Sequence, residues 1–146
     1  MSDQDTAGLN KNQPTETPQK YLSGRFSLGQ KERLKSAKSI EHLFSEGKAI
    51  SAYPLRLVFV SKPNGTVPMQ CAFSVSKRHF KKAVDRNRIK RLLRESYRNI
   101  KPTLYQNLSQ PYIGMILFNG KEIPSQENTD KSVAILLEKW LKSLSL

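Results

Sequence analysis

The chain has 146 residues, of which 25 are Lys or Arg and 12 are Asp or Glu, for a formal charge of +13 and a pI near 10.0. Its hydrophobic fraction of 37% suffices for one domain with a modest core and leaves little room for a second. This balance points to an acidic partner, and the single cysteine, Cys71, excludes an internal disulfide and any multi-cysteine metal site.

Residues 1–24 are rich in Asp, Asn, Gln, Thr and Pro and have almost nothing to bury. They are expected to form a disordered tail, leaving 25–146 as a single domain. The same stretch carries Asp3, Asp5 and Glu16 in place of a secretory signal, and the chain is expected in the cytoplasm. From Arg25 to Lys35 it turns basic, with Phe26, Leu28 and Leu34 available to dock it. Ser36 or Ser39 then caps a short helix with Ile40, Leu43 and Phe44 on one side, and Gly47 suits a left-handed C-terminal cap.

KAISAYPLRLVFVSK, Lys48 to Lys62, has strand composition, with Leu55, Leu57 and Phe59 on one face and Arg56, Val58 and Val60 on the other. A separate short strand at Lys48 to Ala52 is a further option. Pro63-Asn64-Gly65 signals a turn. Met69 to Lys77 is a second strand, with Cys71, Phe73 and Val75 inward and the small residues Ala72, Ser74 and Ser76 opposite. That opposite face, beside Arg56 and Val58, lacks the bulk for a second core. It is either an open polar groove or the wet face of an antiparallel sheet.

A basic stretch follows. From Ser76 to Lys101 there are eleven Lys or Arg against two acids, so most of the chain's net charge lies in 26 residues. Read as a helix from about Lys82, it places Ile89, Leu92, Leu93, Ser96 and Ile100 on one arc. Arg86, Asn87, Lys90, Arg91, Arg94 and Arg98 fall on the adjoining arc. Like charges four residues apart destabilise an isolated helix by about 0.2–0.5 kcal/mol per pair, and a polyanion along that face would remove the cost. Arginine predominates, and its planar fork suits bidentate phosphate contact.

A linker bounded by Pro102 and Pro111 leads to YIGMILF, Tyr112 to Phe118, which reads as a buried strand and is far short of the roughly 20 apolar residues that span a bilayer. Gly120 to Asn128 reads as a loop. Asn128, Thr129 or Asp130 caps a last helix with Val133, Leu136, Leu137, Trp140, Leu141 and Leu144 at helical spacing, Trp140 being core. The order predicts an α+β fold, α-β-β-(β)-α-β-α, a small sheet with helices packed on it. His42 and His79 stand apart, acids are scattered, and no phosphate-binding loop or nucleophile elbow appears, so the residues describe a binding protein without catalytic residues.

KAVDRNRIKRLLRE, Lys82 to Glu95, closely resembles the RNR signature of the protein subunit of bacterial ribonuclease P. FSVSKR before it, LFSEGK at the first helix and PLRLVF in the first long strand are similar to the same family, over about Arg33 to Lys142. The resemblance implies a two-layer sandwich of the ribosomal protein S5 domain 2-like kind, with a left-handed βαβ crossover. It also implies a subunit of an endonuclease that removes 5′ leaders from precursor tRNA, in which the RNA performs the cleavage with Mg²⁺ bound mainly by the RNA. Its partners would be the catalytic RNA and precursor tRNA, with no membrane or DNA. Carried over by position, Lys77, Arg78, Lys82, Arg86, Asn87, Arg88, Lys90, Arg91 and Arg94 would lie against the catalytic RNA, and Phe44, Arg56, Val58 and Ser74 would line a cleft for the leader. Ile40 departs from the family, where an aromatic is often found. A general RNA-binding or ribosomal protein with no processing role is the alternative.

Overall fold

A computed structural model describes residues 29–145, so the expected tail and the docking of Phe26 and Leu28 lie outside the described residues. The described chain begins with a 3-10 turn, Gln30–Glu32, followed by helix α1, Ala37–Glu46. Of the two serines, Ser36 is the cap: its Oγ accepts from the Ser39 N–H at 3.2 Å. Gly47 does end the helix, but in extended backbone (φ −76°, ψ 160°), not the left-handed conformation expected. Glycine is needed there for space, since a Cβ would stand 2.2 Å from the Leu43 carbonyl oxygen.

The stretch expected to be one long strand is a hairpin, β1 (Lys48–Ala52) and β2 (Leu55–Ser61), folded back so that Ala52 faces Leu55. Pro54 breaks it, having no N–H to give to a ladder. The short-strand option is therefore the one realised. Strand β3 is Met69–Val75, helix α2 is Ala83–Gln106, strand β4 is Tyr112–Phe118 and helix α3 is Gln126–Leu144. The sheet order is β1-β2-β4-β3, with β4 antiparallel to β2 and parallel to β3. Thus β3-α2-β4 is a βαβ crossover between adjacent strands. Because β4 is central and covered on both faces, it reads as a continuous apolar run without alternation.

Two boundaries differ from the expectations. Helix α2 does not stop at Pro102 but runs through it to Gln106. The proline removes one helical hydrogen bond, but Tyr97, Lys101, Leu104 and Tyr105 are buried on either side of it, and their packing holds the last turns. Helix α3 starts earlier than expected, capped by Ser125, whose Oγ accepts from Asn128 N–H at 3.0 Å. Thr129 is buried inside the first turn and gives its hydroxyl to the Ser125 carbonyl.

The main core lies between α2, α3 and one sheet face, where Leu57, Met69, Ile89, Leu93, Tyr97, Ile116, Leu136 and Trp140 meet. Trp140 is fully buried, with its ring 5.2 Å from that of Tyr112, and is not a surface platform for bases. Cys71 is buried in the same core, and burial pushes its thiol well above the usual range. The other sheet face carries a second, smaller core of Leu34, Leu43, Val58 and Ile113 beneath α1, with Ile40, Val60, Met115 and Leu117 packed around it. The expectation that this face lacks bulk fails because β4, which lies between β2 and β3, supplies it.

Candidate nucleic-acid interface

Helix α2 presents its two faces much as its periodicity requires. Ile89, Leu93 and Ser96 are buried and Ile100 packs against the core, while Leu92 is only half-buried. On the other side the cations divide into those already used by the fold and those left over. Lys101 points inward, 2% exposed, and pairs with Glu32. Arg98 pairs with Glu95 one turn earlier. Arg86 donates from one guanidinium nitrogen to the carbonyls of Phe80 and Lys81, at 2.8 and 2.9 Å, and so fastens the loop that enters α2.

Asn87, Arg88, Lys90 and Arg91 remain, with no side-chain hydrogen bond or ion pair among the described residues. Lys77, Arg78 and Lys82 are exposed on the loop before the helix, beside the free start of the same face. Arg94 is half-buried, its guanidinium carbon 5.9 Å from the centroid of the Phe73 ring. Burial, with the charges of Arg33 and Arg91 added, holds its pKa below the usual arginine range. The charge of Arg33 thus reaches Arg94, although Arg33 lies far from the basic run in sequence and no local pattern marks it.

On the opposite sheet face, Leu117 pairs with Arg56 on one side and with Ser74 on the other, which makes one row across three strands. Strand spacing puts Arg56 and Ser74 about 10 Å apart. Arg56 is exposed, and Leu117 and Ser74 are half-buried, so this row is an open, shallow surface. Phe44, on α1, is 54% exposed. Val58 is a correction to the expected cleft: at 8% exposed it lies beneath α1 and packs with Leu43 and Ile113, so its side chain is not offered to a ligand.

No group of three or more His, Cys, Asp or Glu side chains that could hold a metal ion occurs among the described residues. None of the described helices is long and apolar enough to cross a membrane. The α2 face with Arg88, Lys90 and Arg91, the basic entry loop and a partly open sheet face make an electropositive surface on an α+β sandwich, of the kind that suits a polyanion.

The family model for ribonuclease P matches residues 28–142. Among similar proteins, the ribonuclease P protein component of Porphyromonas gingivalis is 40% identical over 89 residues, which cover 60% of this chain and 65% of that one. The component from Caldanaerobacter subterraneus is 34% identical over 114 residues, 78% of this chain and 90% of its own. The P. gingivalis match thus spans just under two thirds of that protein's length. Among solved structures, the RNase P protein of Staphylococcus aureus superposes with a TM-score of 0.63 at 17% identity, over 75% of this chain and 94% of its own. That of Thermotoga maritima gives 0.61 at 22% identity, over 74% and 96%. At these identities the structures show the shared fold. The chain belongs to the ribonuclease P protein family.

Proposed function

We propose that this chain is the protein subunit of ribonuclease P, working in the cytoplasm with a catalytic RNA to remove 5′ leaders from precursor tRNA. The observation that carries the reading is the run Asn87, Arg88, Lys90 and Arg91, left without protein partners on a rigid helix in a member of this family. Cations that the fold does not neutralise are available to backbone phosphates, and displacing condensed counterions from the RNA supplies the binding free energy. Recognition there is of shape, phosphate and 2′-hydroxyl, because the deep groove of A-form RNA hides its bases. Asn87 adds a neutral amide between two arginines, able both to donate to a phosphate and to accept from a 2′-hydroxyl.

The second surface in this reading is the row Arg56, Leu117 and Ser74 with Phe44 on α1, where a single-stranded leader would lie. Arg56 would meet its backbone and the Phe44 ring a base. The chain's own residues bind and align; hydrolysis belongs to the RNA and to Mg²⁺ held by the RNA. Neutralising phosphates near the junction is how the protein would lower the Mg²⁺ requirement.

The test is leader dependence. Phe44→Ala in the reconstituted holoenzyme is expected to weaken precursor tRNA by about 1–3 kcal/mol, the value of one stacked base, and to leave mature tRNA unchanged. Equal losses for the two ligands in an equilibrium binding assay would contradict the leader surface. Binding that ignores leader length in the unsubstituted protein would favour a general RNA-binding role.

A further inference from the structure

Four large hydrophobic side chains stand exposed among the described residues, and two of them, Tyr53 and Ile135, line one cavity. The cavity, of about 610 Å³, lies between the turn of the β1-β2 hairpin, the loop that follows β4 and the outer side of α3. That is the size of a small-ligand pocket. Neither α2 nor the row of Arg56, Leu117 and Ser74 contributes to its lining. Its walls follow from the sequence. Asn128, Lys131, Ser132 and Ile135 recur at spacings of three and four on α3, beside the stripe that Val133, Leu136, Leu137 and Trp140 bury. The buried stripe fixes the helix, and the outer one leaves Ile135 57% exposed.

The hairpin turn is fastened as well. Asn119 N–H donates to the Pro54 carbonyl at 2.8 Å, and Lys139 Nζ on α3 donates to the Ser51 carbonyl at 2.6 Å, so the two walls keep their separation. Tyr53, beside Pro54, is 78% exposed. Gly120 lets the loop close on the Phe118 ring, since a Cβ there would stand 2.6 Å from Phe118 Cζ. The mixed character of the lining decides the occupant. The Asn128 amide and the Ser132 hydroxyl bond to no other group among the described residues, nor does Lys121. Lys131 pairs with Glu127 at 3.4 Å, but both are well exposed and such a pair is readily exchanged. An apolar side chain of a protein partner would cover these polar groups without meeting them. A nucleobase instead offers a flat face to Tyr53 and donors and acceptors at its edge to Asn128 and Ser132. Its phosphate suits the two lysines, which outnumber the one acid of the lining, Glu122.

We propose that this cavity holds one unpaired nucleotide of the 5′ leader, its base on the Tyr53 ring and its phosphate met by Lys121 and Lys131. Tyr53 precedes Arg56 by three residues, so their Cα atoms are at most about 11 Å apart. A strand that leaves the leader row past Arg56 therefore reaches the hairpin turn within a few nucleotides. The nucleotide lies upstream of those on the row, because downstream the leader joins the paired tRNA. The proposal rests on the leader reading above and adds to it a second stacking position, separate from Phe44.

Two measurements on the full chain separate the site from its source. In the first, adenosine 5′-monophosphate and, in a parallel sample, inorganic phosphate are titrated while backbone amide NMR signals are followed. The nucleotide is expected to move the Gly120, Asn128 and Ser132 signals at millimolar concentration, and phosphate to leave them in place. Tyr53→Ala should abolish the movement, and Tyr53→Phe, which keeps the ring, should retain it. No movement, movement confined to α2, equal movement with phosphate or an unchanged response in Tyr53→Ala overturns the site. In the second, affinity of the reconstituted holoenzyme for precursor tRNA is measured against leader length. Tyr53→Ala is expected to weaken a long leader by about 5- to 100-fold and to leave unchanged a leader trimmed to the nucleotides on the row, whereas Phe44→Ala weakens both. Nucleotide binding in the cavity with no effect of Tyr53→Ala on long leaders overturns the leader as occupant. Affinity that ignores leader length in the unsubstituted protein defeats the leader reading and this source with it, while the NMR titration still decides the cavity.

Discussion

Arg88, Lys90 and Arg91 replaced together by alanine are expected to lower affinity for the catalytic RNA on the order of 10³-fold near 0.1 M salt and to flatten the salt slope by about three. Each phosphate contact contributes a slope of about 0.9, worth close to tenfold at that salt, and the three contacts are separate. The fold should not suffer, because none of these side chains bonds to the protein among the described residues. Alanine is also the strongest helix former, and the substitution removes repulsion with Arg94 and Arg86. Arg86 is left out of the set for a physical reason: its guanidinium holds the Phe80 and Lys81 carbonyls, so its loss would disturb the loop as well as the charge. Filter binding at stepped salt concentrations reads the result. An affinity loss with an unchanged slope would mean that these residues do not meet phosphates.

The largest effect on stability is expected from Lys101→Met. The side chain fits the volume, but Glu32 is left in the core with an unmatched charge, and breaking a buried pair in this way costs about 3–5 kcal/mol. For a domain of this size the corresponding fall in Tm is about 10 °C. Urea unfolding followed by Trp140 fluorescence measures it, since Trp140 is buried in the same domain core. Glu32→Ala/Lys101→Met should recover part of the loss, because removing both partners leaves nothing unpaired. A Lys101→Met protein as stable as the original would mean that Glu32 gains access to water.

The sequence revealed most where a single element carries its own period. Val133, Leu136, Leu137 and Trp140 in α3, and Leu55, Leu57 and Phe59 against Arg56, Val58 and Val60 in β2, are segregated as their spacing requires. The basic stretch was equally plain, because one sign of charge dominates it. What stayed hidden depends on partners distant in the chain. Lys101 looked like one more exposed cation, since its carboxylate partner lies 69 residues away. Pro102 looked like a helix end, since the packing that carries α2 past it comes from residues brought there by the fold. Val58 looked available because the cover over it, Leu43 and Ile113, comes from α1 and from a strand placed between β2 and β3 only by the crossover. Arg33 gave no signal, because only its bridge to Cys71, far away in the chain, brings it to the edge of β3.

The most direct test is single-turnover cleavage of a precursor tRNA by the cognate catalytic RNA at low Mg²⁺, with and without this protein. A strong stimulation that grows with the length of the 5′ leader is expected of a ribonuclease P subunit with a leader-binding surface. Intact RNA binding with no stimulation would contradict it, and would leave a basic sandwich that holds structured RNA without taking part in its processing.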